Sequence, residues 1–310
     1  MISEFLPPPP LPPWLSEQLP FNRRVFNDGD HSIHFVDEGE GAPVLLLHGN
    51  PTWSFLWRKV IRILARENVR IIAPDLVGLG LSSKPRDPRT HTLNFHANRI
   101  SALVEALDLD DITIAAQDWG GPIIAVMAAR NRERIHGAVF SNTAIRVPYR
   151  SPRRTAFHRF SHVPVVSDLV FRGLIFPIPI LHLAQGDRTS IGRSERRAYR
   201  WPFRAFRDRV APLALARLVP QSIDSPVFRT LREADSWARS FPGPVRLVWG
   251  MRDPILGRAL RGVKELFPNA TVFETEAGHF LQEEVPEDLA EAILGVASSS
   301  TRVEPHPDHP

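Results

Sequence analysis

Short, continuous apolar runs alternate along the chain with longer segments in which apolar residues recur every three or four positions. The first pattern predicts strands covered on both faces, and the second predicts helices with one buried side. Because strands alternate with helices, we predict an α/β fold with a mostly parallel, doubly wound sheet, whose ligands bind beyond the carboxyl ends of the strands. The runs occupy residues 43–47, 69–74, 112–117, 136–141, 244–249 and 270–274, and the main helical patterns occupy 52–64, 93–107, 122–130 and 286–297.

Two N-terminal features differ from this pattern. Residues 7–13 are nearly all proline, which predicts a stiff extended segment along the surface. Two short alternating runs, at 24–26 and 32–36, are separated by Asn27-Asp28-Gly29-Asp30, a hairpin signal. This hairpin is expected to form an antiparallel edge of the main sheet.

The alternation of strands and helices stops between residues 145 and 225, which are rich in arginine, proline and aromatic side chains. Helix-like pieces occur at 167–171, 194–206 and 211–218. We predict a helical cap that is inserted in the sheet fold. A second independent domain is the alternative, although about 80 residues is small for a self-sufficient core. The predicted organisation is a proline-rich segment (1–20), a main domain (21–144 and 226–297), the cap (145–225) and a flexible tail (298–310).

Composition narrows the class of protein. The 310 residues are 43% hydrophobic and 23% charged, as expected of one large globular domain with an inserted subdomain. The chain has no cysteine, which excludes disulfides, thiolate metal sites and cysteine nucleophiles and suits a cytoplasmic location. Net charge is +4, and the many arginines are scattered without a long basic block, so no nucleic-acid partner is expected.

No targeting or membrane segment is expected either. The first 14 residues lack the cationic start and continuous apolar core of a secretory signal. The most apolar later region, residues 163–184, is interrupted by Asp168, Arg172, Pro177 and Pro179. We therefore expect a soluble protein without a membrane partner.

The candidate chemistry centres on residues 112–122, where an apolar run ends at Asp118 and two glycines and a proline follow. Ala116 and Gly120 lie two positions to either side of Asp118, as do the small residues of the α/β-hydrolase nucleophile elbow, which this segment resembles. Asp118 occupies the position where serine is usual. The helix dipole favours an ionised carboxylate there, which attacks without prior deprotonation. The alternative is that Asp118 only caps the helix.

Two later residues complete a triad in the order nucleophile, acid, histidine. Asp253 and His279 each follow a predicted strand, so both are expected at the same rim of the sheet as Asp118. Taken alone, the histidine is as compatible with a structural role, and Asp253 before Pro254 with a turn. Three residues of the right type, in the right order and at one rim, favour a catalytic triad.

Five motifs resemble the haloalkane dehalogenase family, and the resemblance covers the main domain nearly end to end. The motifs are HGNPTWSFLWR (48–58), PDLVGLGLS (74–82), QDWGG (117–121), GMRDP (250–254) and GHF (278–280). The His-Gly-x-Pro pattern occurs in many hydrolases of this fold, whereas Asn50 and Trp119 discriminate. The resemblance implies that their side-chain N–H groups bind the departing halide and that their backbone N–H groups form the oxyanion hole. The alternatives are packing for the tryptophan and a turn role for the asparagine.

The resemblance also bears on the acid. Some members carry it after the strand that here ends at Ser141, but Asn142-Thr143 supply no carboxylate. Asp253 therefore takes the role, which places the chain with the subgroup that has an Asp-His-Asp triad. Another subgroup draws a halide donor from a cap tryptophan. Trp201 is a candidate for that position, but Asn50 makes it unnecessary, and we predict that Trp201 lines the cavity or the core.

These resemblances imply hydrolytic dehalogenation of haloalkanes to a primary alcohol and halide. Asp118 would form an alkyl ester, and His279, oriented by Asp253, would activate the water that hydrolyses it. The implied partners are a small apolar halogenated substrate, water and a halide ion, without a metal or organic cofactor.

Other activities remain open at this point. An epoxide hydrolase shares the fold and the aspartate nucleophile but uses two cap tyrosines, and this chain has only Tyr149 and Tyr199. A fluoroacetate-type dehalogenase has arginine at the position of Trp119, and a serine esterase needs a serine at the elbow. A non-catalytic receptor for a small apolar ligand is the alternative from another class, and an intact triad argues against it.

Overall fold

One mixed sheet organises the molecule. The computed structural model describes residues 4–151 and 156–299, and within them nine strands are ordered β1-β2-β3-β5-β4-β6-β7-β8-β9. The pairs β1–β2, β2–β3 and β3–β5 are antiparallel. All pairs in the rest of the sheet, from β5 across β4, β6, β7 and β8 to β9, are parallel. The predicted fold class and the predicted hairpin are confirmed. The strands are β1 (Glu4–Leu6), β2 (Arg23–Asn27), β3 (Ser32–Glu38), β4 (Ala42–Leu47), β5 (Val69–Pro74), β6 (Ile112–Gln117), β7 (Ile135–Ser141), β8 (Val245–Gly250) and β9 (Thr271–Thr275).

The middle of the sheet is covered on both faces, as the continuous apolar runs predicted. Every residue of β6 and β7 is buried. Among the helices, α2 packs against α12, and both α3 and α9 pack against α4. The helices are α1 (Pro13–Ser16), α2 (Arg58–Leu64), α3 (Leu93–Ala106), α4 (Gly120–Arg130), α5 (Ala156–Ser161), α6 (Val166–Asp168), α7 (Arg193–Arg200), α8 (Ala211–Arg217), α9 (Pro226–Ser240), α10 (Leu260–Leu266), α11 (Leu281–Glu284) and α12 (Pro286–Ala297).

The N-terminal segment is more integrated than predicted. β1 pairs with β2, and its Phe5 contacts Phe26 and the Arg24 guanidinium, so the sheet extends one strand beyond the hairpin. Residues 7–12 have no helix or strand, but Leu15 and Leu19 after them are buried in the main core. Residues 7–12 are exposed or half-buried, so this stretch lies along the surface as predicted, between ends that are anchored in the sheet and the core.

Between β7 and β8 the described residues form helices and turns, with no strand. The helix predicted at 194–206 is wrong in length: α7 ends at Arg200, because Pro202 has no N–H and cannot continue it. The piece predicted at 167–171 is the short α6, which runs into a short π-helix at Leu169–Gly173. Of the predicted flexible tail, residues 300–310 lie outside the described residues.

Among the described residues, no single helix has the length and apolar character to cross a membrane. Within the described residues, one pair of short helical pieces, Val166–Gly173 and Ile178–Ala184, reaches that length and apolar character when the two are taken together. The two pieces are bent by 90° relative to each other.

Candidate active site

Asp118 lies at a sharp turn between β6 and α4, with φ of 50°. A positive φ is uncommon for a residue with a Cβ, and here flanking contacts hold it. The Asp118 N–H donates to Asn142 O at 3.1 Å, and Thr143 Oγ1 donates to Asp118 O at 2.7 Å. A Cβ at Gly120 would lie 2.7 Å from the carbonyl oxygen of His48, so the turn has no room for a larger residue. This is the predicted strand, turn and helix.

The Asp118 carboxylate is held by donors on one side and faces a histidine on the other. The Asn50 N–H donates to Oδ1 at 2.8 Å, and the Trp119 backbone N–H also donates to this carboxylate. The second oxygen, Oδ2, lies 3.7 Å from His279 Nε2. Burial raises the pKa of Asp118 above its ordinary value, although His279 and the two N–H groups oppose that rise. The backbone N–H groups of Asn50 and Trp119, which were predicted as the oxyanion hole, thus both bond the carboxylate of Asp118.

His279 is linked to Asp253 as the predicted triad requires. His279 Nδ1 lies 2.8 Å from Asp253 Oδ2, and the second carboxylate oxygen accepts from the Ile255 N–H at 2.7 Å. Burial would lower the pKa of His279, but Asp253 and, more weakly, Asp118 raise it, and the net direction is upward. Burial would raise the pKa of Asp253, but His279 and Asn142 lower it, so this carboxyl stays ionised beside the ring. The three residues predicted from order and position are brought together.

The two predicted halide donors are placed differently. The Trp119 side chain is partly buried, and its Nε1 has no hydrogen-bond acceptor among the described residues. Asn50 Nδ2 instead donates to the carbonyl of Pro212 in α8 at 3.0 Å, and its Oδ1 is buried without a described partner. An amide nitrogen carries two hydrogens, so Asn50 retains one donor beyond this bond.

Segments between β7 and β8 brace the histidine loop. The His279 backbone N–H donates to Ala184 O at 2.8 Å. The Gln185 side chain bonds both backbone groups of Phe280, accepting from N–H at 2.9 Å and donating to the carbonyl at 3.1 Å. The position of the base is therefore fixed from outside the sheet as well as by Asp253.

Sequence reasoning gave no role to two polar residues in this site. Asn142 donates to Asp253 Oδ2 at 2.7 Å and exchanges two further bonds with the backbone of Gly250, at 2.7 and 3.0 Å. Gln117 Nε2 lies 3.2 Å from His279 Nε2. Their position was their one signal in the sequence. Gln117 is the last residue of β6 and Asn142 directly follows β7, and both strands end at the catalytic rim.

The two tyrosines of the epoxide-hydrolase alternative do not form a pair of buried, free hydroxyl donors. Tyr149 is 77% exposed and stacks with Arg146, whereas the buried Tyr199 hydroxyl donates to Glu283 at 2.6 Å. Trp201 is partly buried, packs against the core and lies under the Arg204 guanidinium.

Residues 4–151 and 156–299 contain no group of three or more histidine or carboxylate side chains arranged to hold a metal ion.

Comparison with known proteins places this site in a family. A family model described as the alpha/beta hydrolase fold matches residues 42–162. Haloalkane dehalogenase 2 of Mycobacterium tuberculosis is 33% identical over 297 residues, which are 95% of this chain and 99% of the relative. The solved structure of haloalkane dehalogenase DpaA from Paraglaciecola agarilytica NO2, described as tetrameric, superposes with a TM-score of 0.78 at 25% identity, covering 97% of this chain and all (100%) of that one.

One relative carries a different name. Cis-3-alkyl-4-alkyloxetan-2-one decarboxylase of Shewanella oneidensis is 30% identical over 284 residues, 89% of this chain and 88% of the relative. Full-length similarity to the dehalogenases, together with the assembled aspartate, histidine and aspartate, shows that the chain belongs to the haloalkane dehalogenase family of α/β hydrolases.

Proposed function

We propose that this protein hydrolyses a haloalkane with one water to an alcohol, a halide ion and a proton. The observation that carries the proposal is the setting of Asp118. Its carboxylate has one oxygen bonded to the Asn50 backbone N–H and the other facing His279. The indole N–H of the adjacent Trp119 has no acceptor among the described residues. An aspartate in this position needs no base in order to attack carbon.

In the first step, Asp118 Oδ2, the oxygen not bonded to Asn50 N–H, attacks the carbon that bears the halogen. The new C–O bond forms as the C–halogen bond breaks, and the halide leaves with the electron pair. The Trp119 Nε1–H and the second N–H of the Asn50 amide are the donors proposed to receive the halide. Donors aimed at a developing anion in a site of low polarity stabilise the transition state.

In the second step, His279 Nε2 takes a proton from water, and the oxygen of that water attacks the ester carbonyl of Asp118. The negative charge forms on Oδ1, which already lies 2.8 Å from the Asn50 N–H. Collapse expels the alkoxide, which takes the proton from His279 and leaves as the alcohol. Asp118 keeps one oxygen from water and gives its remaining proton to solvent. Asp253 holds the proton on Nδ1 of the ring, so that Nε2 is free to accept.

The test separates the two steps. In His279→Phe, alkylation by 1,2-dibromoethane should proceed while hydrolysis stalls, so intact-protein mass should rise by one bromoethyl group per chain. Asp118→Asn is the matched variant and should gain no mass. In single turnover of the parent in ¹⁸O water, the label should enter Asp118. An alcohol labelled in that first turnover, or a His279→Phe protein that never gains mass, would refute the covalent route.

The Shewanella relative supplies a second candidate, decarboxylation of a cis-3,4-dialkyl oxetan-2-one. It is favoured by the 30% identity, which extends over 89% of this chain and 88% of that relative. Parallel assays of bromide release from 1,2-dibromoethane and of carbon dioxide release from such a lactone decide between the two activities.

A further inference from the structure

Gln117 joins the strand that carries the nucleophile to the general base. It is the last residue of β6 and is fully buried. Its Nε2 lies 3.2 Å from His279 Nε2 and donates to the His279 backbone carbonyl at 3.0 Å. The residue directly before Asp118 therefore contacts the ring nitrogen that must accept the proton of the attacking water.

The orientation of this amide follows from its contacts. A backbone carbonyl only accepts, so the amide atom beside it must be the NH₂ group. Its two hydrogens serve the carbonyl and the ring nitrogen. The amide oxygen, Oε1, is then left buried with no partner among the described residues.

The ring has the matching protonation state. Nδ1 donates its hydrogen to Asp253, so Nε2 of the neutral ring has a lone pair that accepts from Gln117. Two nearby carboxylates, at 2.8 and 3.7 Å, attract a proton to the ring. A proton on Nε2 would face the Gln117 N–H, donor against donor, so the glutamine opposes that protonation.

We propose that Gln117 is a positioning residue for ester hydrolysis: its NH₂ group, held by the His279 carbonyl, keeps Nε2 of His279 as the free base until the attacking water donates to that nitrogen instead. The proposal rests on the proposed function. Nε2 of the neutral ring has one lone pair, which the water takes over from the amide hydrogen when it donates its O–H. Alkylation of Asp118 does not use this contact, so the effect is confined to the second step.

The primary variant is Gln117→Met, which keeps the length of the side chain and removes the amide. Loss of one donor hydrogen bond should raise the pKa of His279, followed by NMR of the ring, by about half to one unit. In Gln117→Glu the carboxylate would accept from the protonated ring, so the pKa should rise further. Steady-state kcat of Gln117→Met should fall about tenfold, while the first-turnover burst of halide keeps its parental rate and amplitude.

Gln282→Met is the control. Gln282 is buried three residues beyond His279, and neither of its amide atoms has a partner among the described residues. The same substitution there should leave the His279 pKa and kcat unchanged. An unchanged His279 pKa in folded Gln117→Met, or an equal slowing of burst and steady state, would overturn the proposal. If the parent releases no halide, the proposed function fails, and the NMR titration still shows whether Gln117 holds the ring as free base.

Discussion

The Asn50 side-chain Nδ2 lies 3.0 Å from the backbone oxygen of Pro212, which joins the loop after β4 to the first turn of α8. The same residue donates its backbone N–H to Asp118 Oδ1 at 2.8 Å. One residue thus connects the nucleophile with a helix that lies outside the sheet. A shift of α8 would reorient the amide that we propose as a halide donor.

Replacement of Asn50 by alanine should remove the side-chain donor and the bond to α8, while its backbone N–H stays in place. We expect kcat/KM for 1,2-dibromoethane to fall about 10²- to 10³-fold, as for the loss of one donor to a developing anion. Trp119→Phe, which retains the ring and the backbone N–H, should show a loss of similar size. Steady-state bromide release measures both.

Asn269→Ala serves as the control for these variants, because Asn269 is exposed in the turn before β9. It should behave as the parent does. Parental kcat/KM in Asn50→Ala would show that the amide does not receive the halide.

The pH dependence of ester hydrolysis should follow His279. Asp253 and Asp118 outweigh burial and raise its pKa above the ordinary 6.5, so the neutral base is lost as pH falls through a value above 6.5. In Asp253→Asn the main cause of the rise is gone, and the acid limb should move to lower pH. The maximum rate should fall by as much as about 10⁴, because asparagine can donate to Nδ1 and stabilise the wrong tautomer.

Single-turnover hydrolysis of the alkyl-enzyme at a series of pH values measures this shift. It isolates the second step from the ionisation of Asp118, whose pKa burial raises and which governs alkylation. An acid limb at the same pH in parent and Asp253→Asn would mean that another group controls hydrolysis.

The catalytic residues could be predicted from the order of strands, whereas the contacts that orient their side chains could not. Asp118, Asp253 and His279 could be predicted because each follows a strand, and strand ends meet at one rim whatever the side-chain conformations are. The Gln117–His279 and Asn142–Asp253 contacts join residues 162 and 111 positions apart. Such contacts depend on side-chain rotamers, which leave no periodic trace in the sequence.

Two errors in the fold have local causes. β1 has three residues, Glu4–Leu6, too few to establish an alternating pattern. The helix-like piece predicted at 194–206 was too long, because Pro202 has no N–H and α7 ends at Arg200. The continuous runs of β4 and β6 were predicted to within a residue, because burial on both faces requires apolar residues throughout.

The elbow should not tolerate a methyl group at Gly120. A Cβ there would contact the backbone carbonyls of Leu47 and His48, and backbone at the end of a central strand cannot shift without disturbing the sheet. We expect Gly120→Ala to lose about 1–3 kcal/mol of unfolding free energy, together with most activity. Urea denaturation measures the loss.

Gly173→Ala is the matched variant, since a Cβ at that position would meet nothing within 4 Å. Its urea midpoint should equal or slightly exceed that of the parent. If the two variants were equally stable, the close approach of α4 to β4 would not be what requires glycine at position 120.

Two stacked histidines, His91 and His96, should make the fold sensitive to acid. Both rings are buried with centroids 5.5 Å apart, and His91 Nε2 and His96 Nδ1 have no partner among the described residues. Burial lowers the pKa of His91 to about 4 and that of His96 to about 3. Below about pH 6.5 the unfolded chain therefore binds protons that the folded chain does not, so the free energy of unfolding falls as pH decreases. The fall is about 1.4 kcal/mol per pH unit for each group, until the pKa of that group in the folded protein is reached.

His96→Phe keeps an aromatic ring and removes one of these titrations, so the urea midpoint should decline less steeply between pH 6.5 and 4 than that of the parent. Equal slopes for the two proteins would show that His96 is already protonated in the native state.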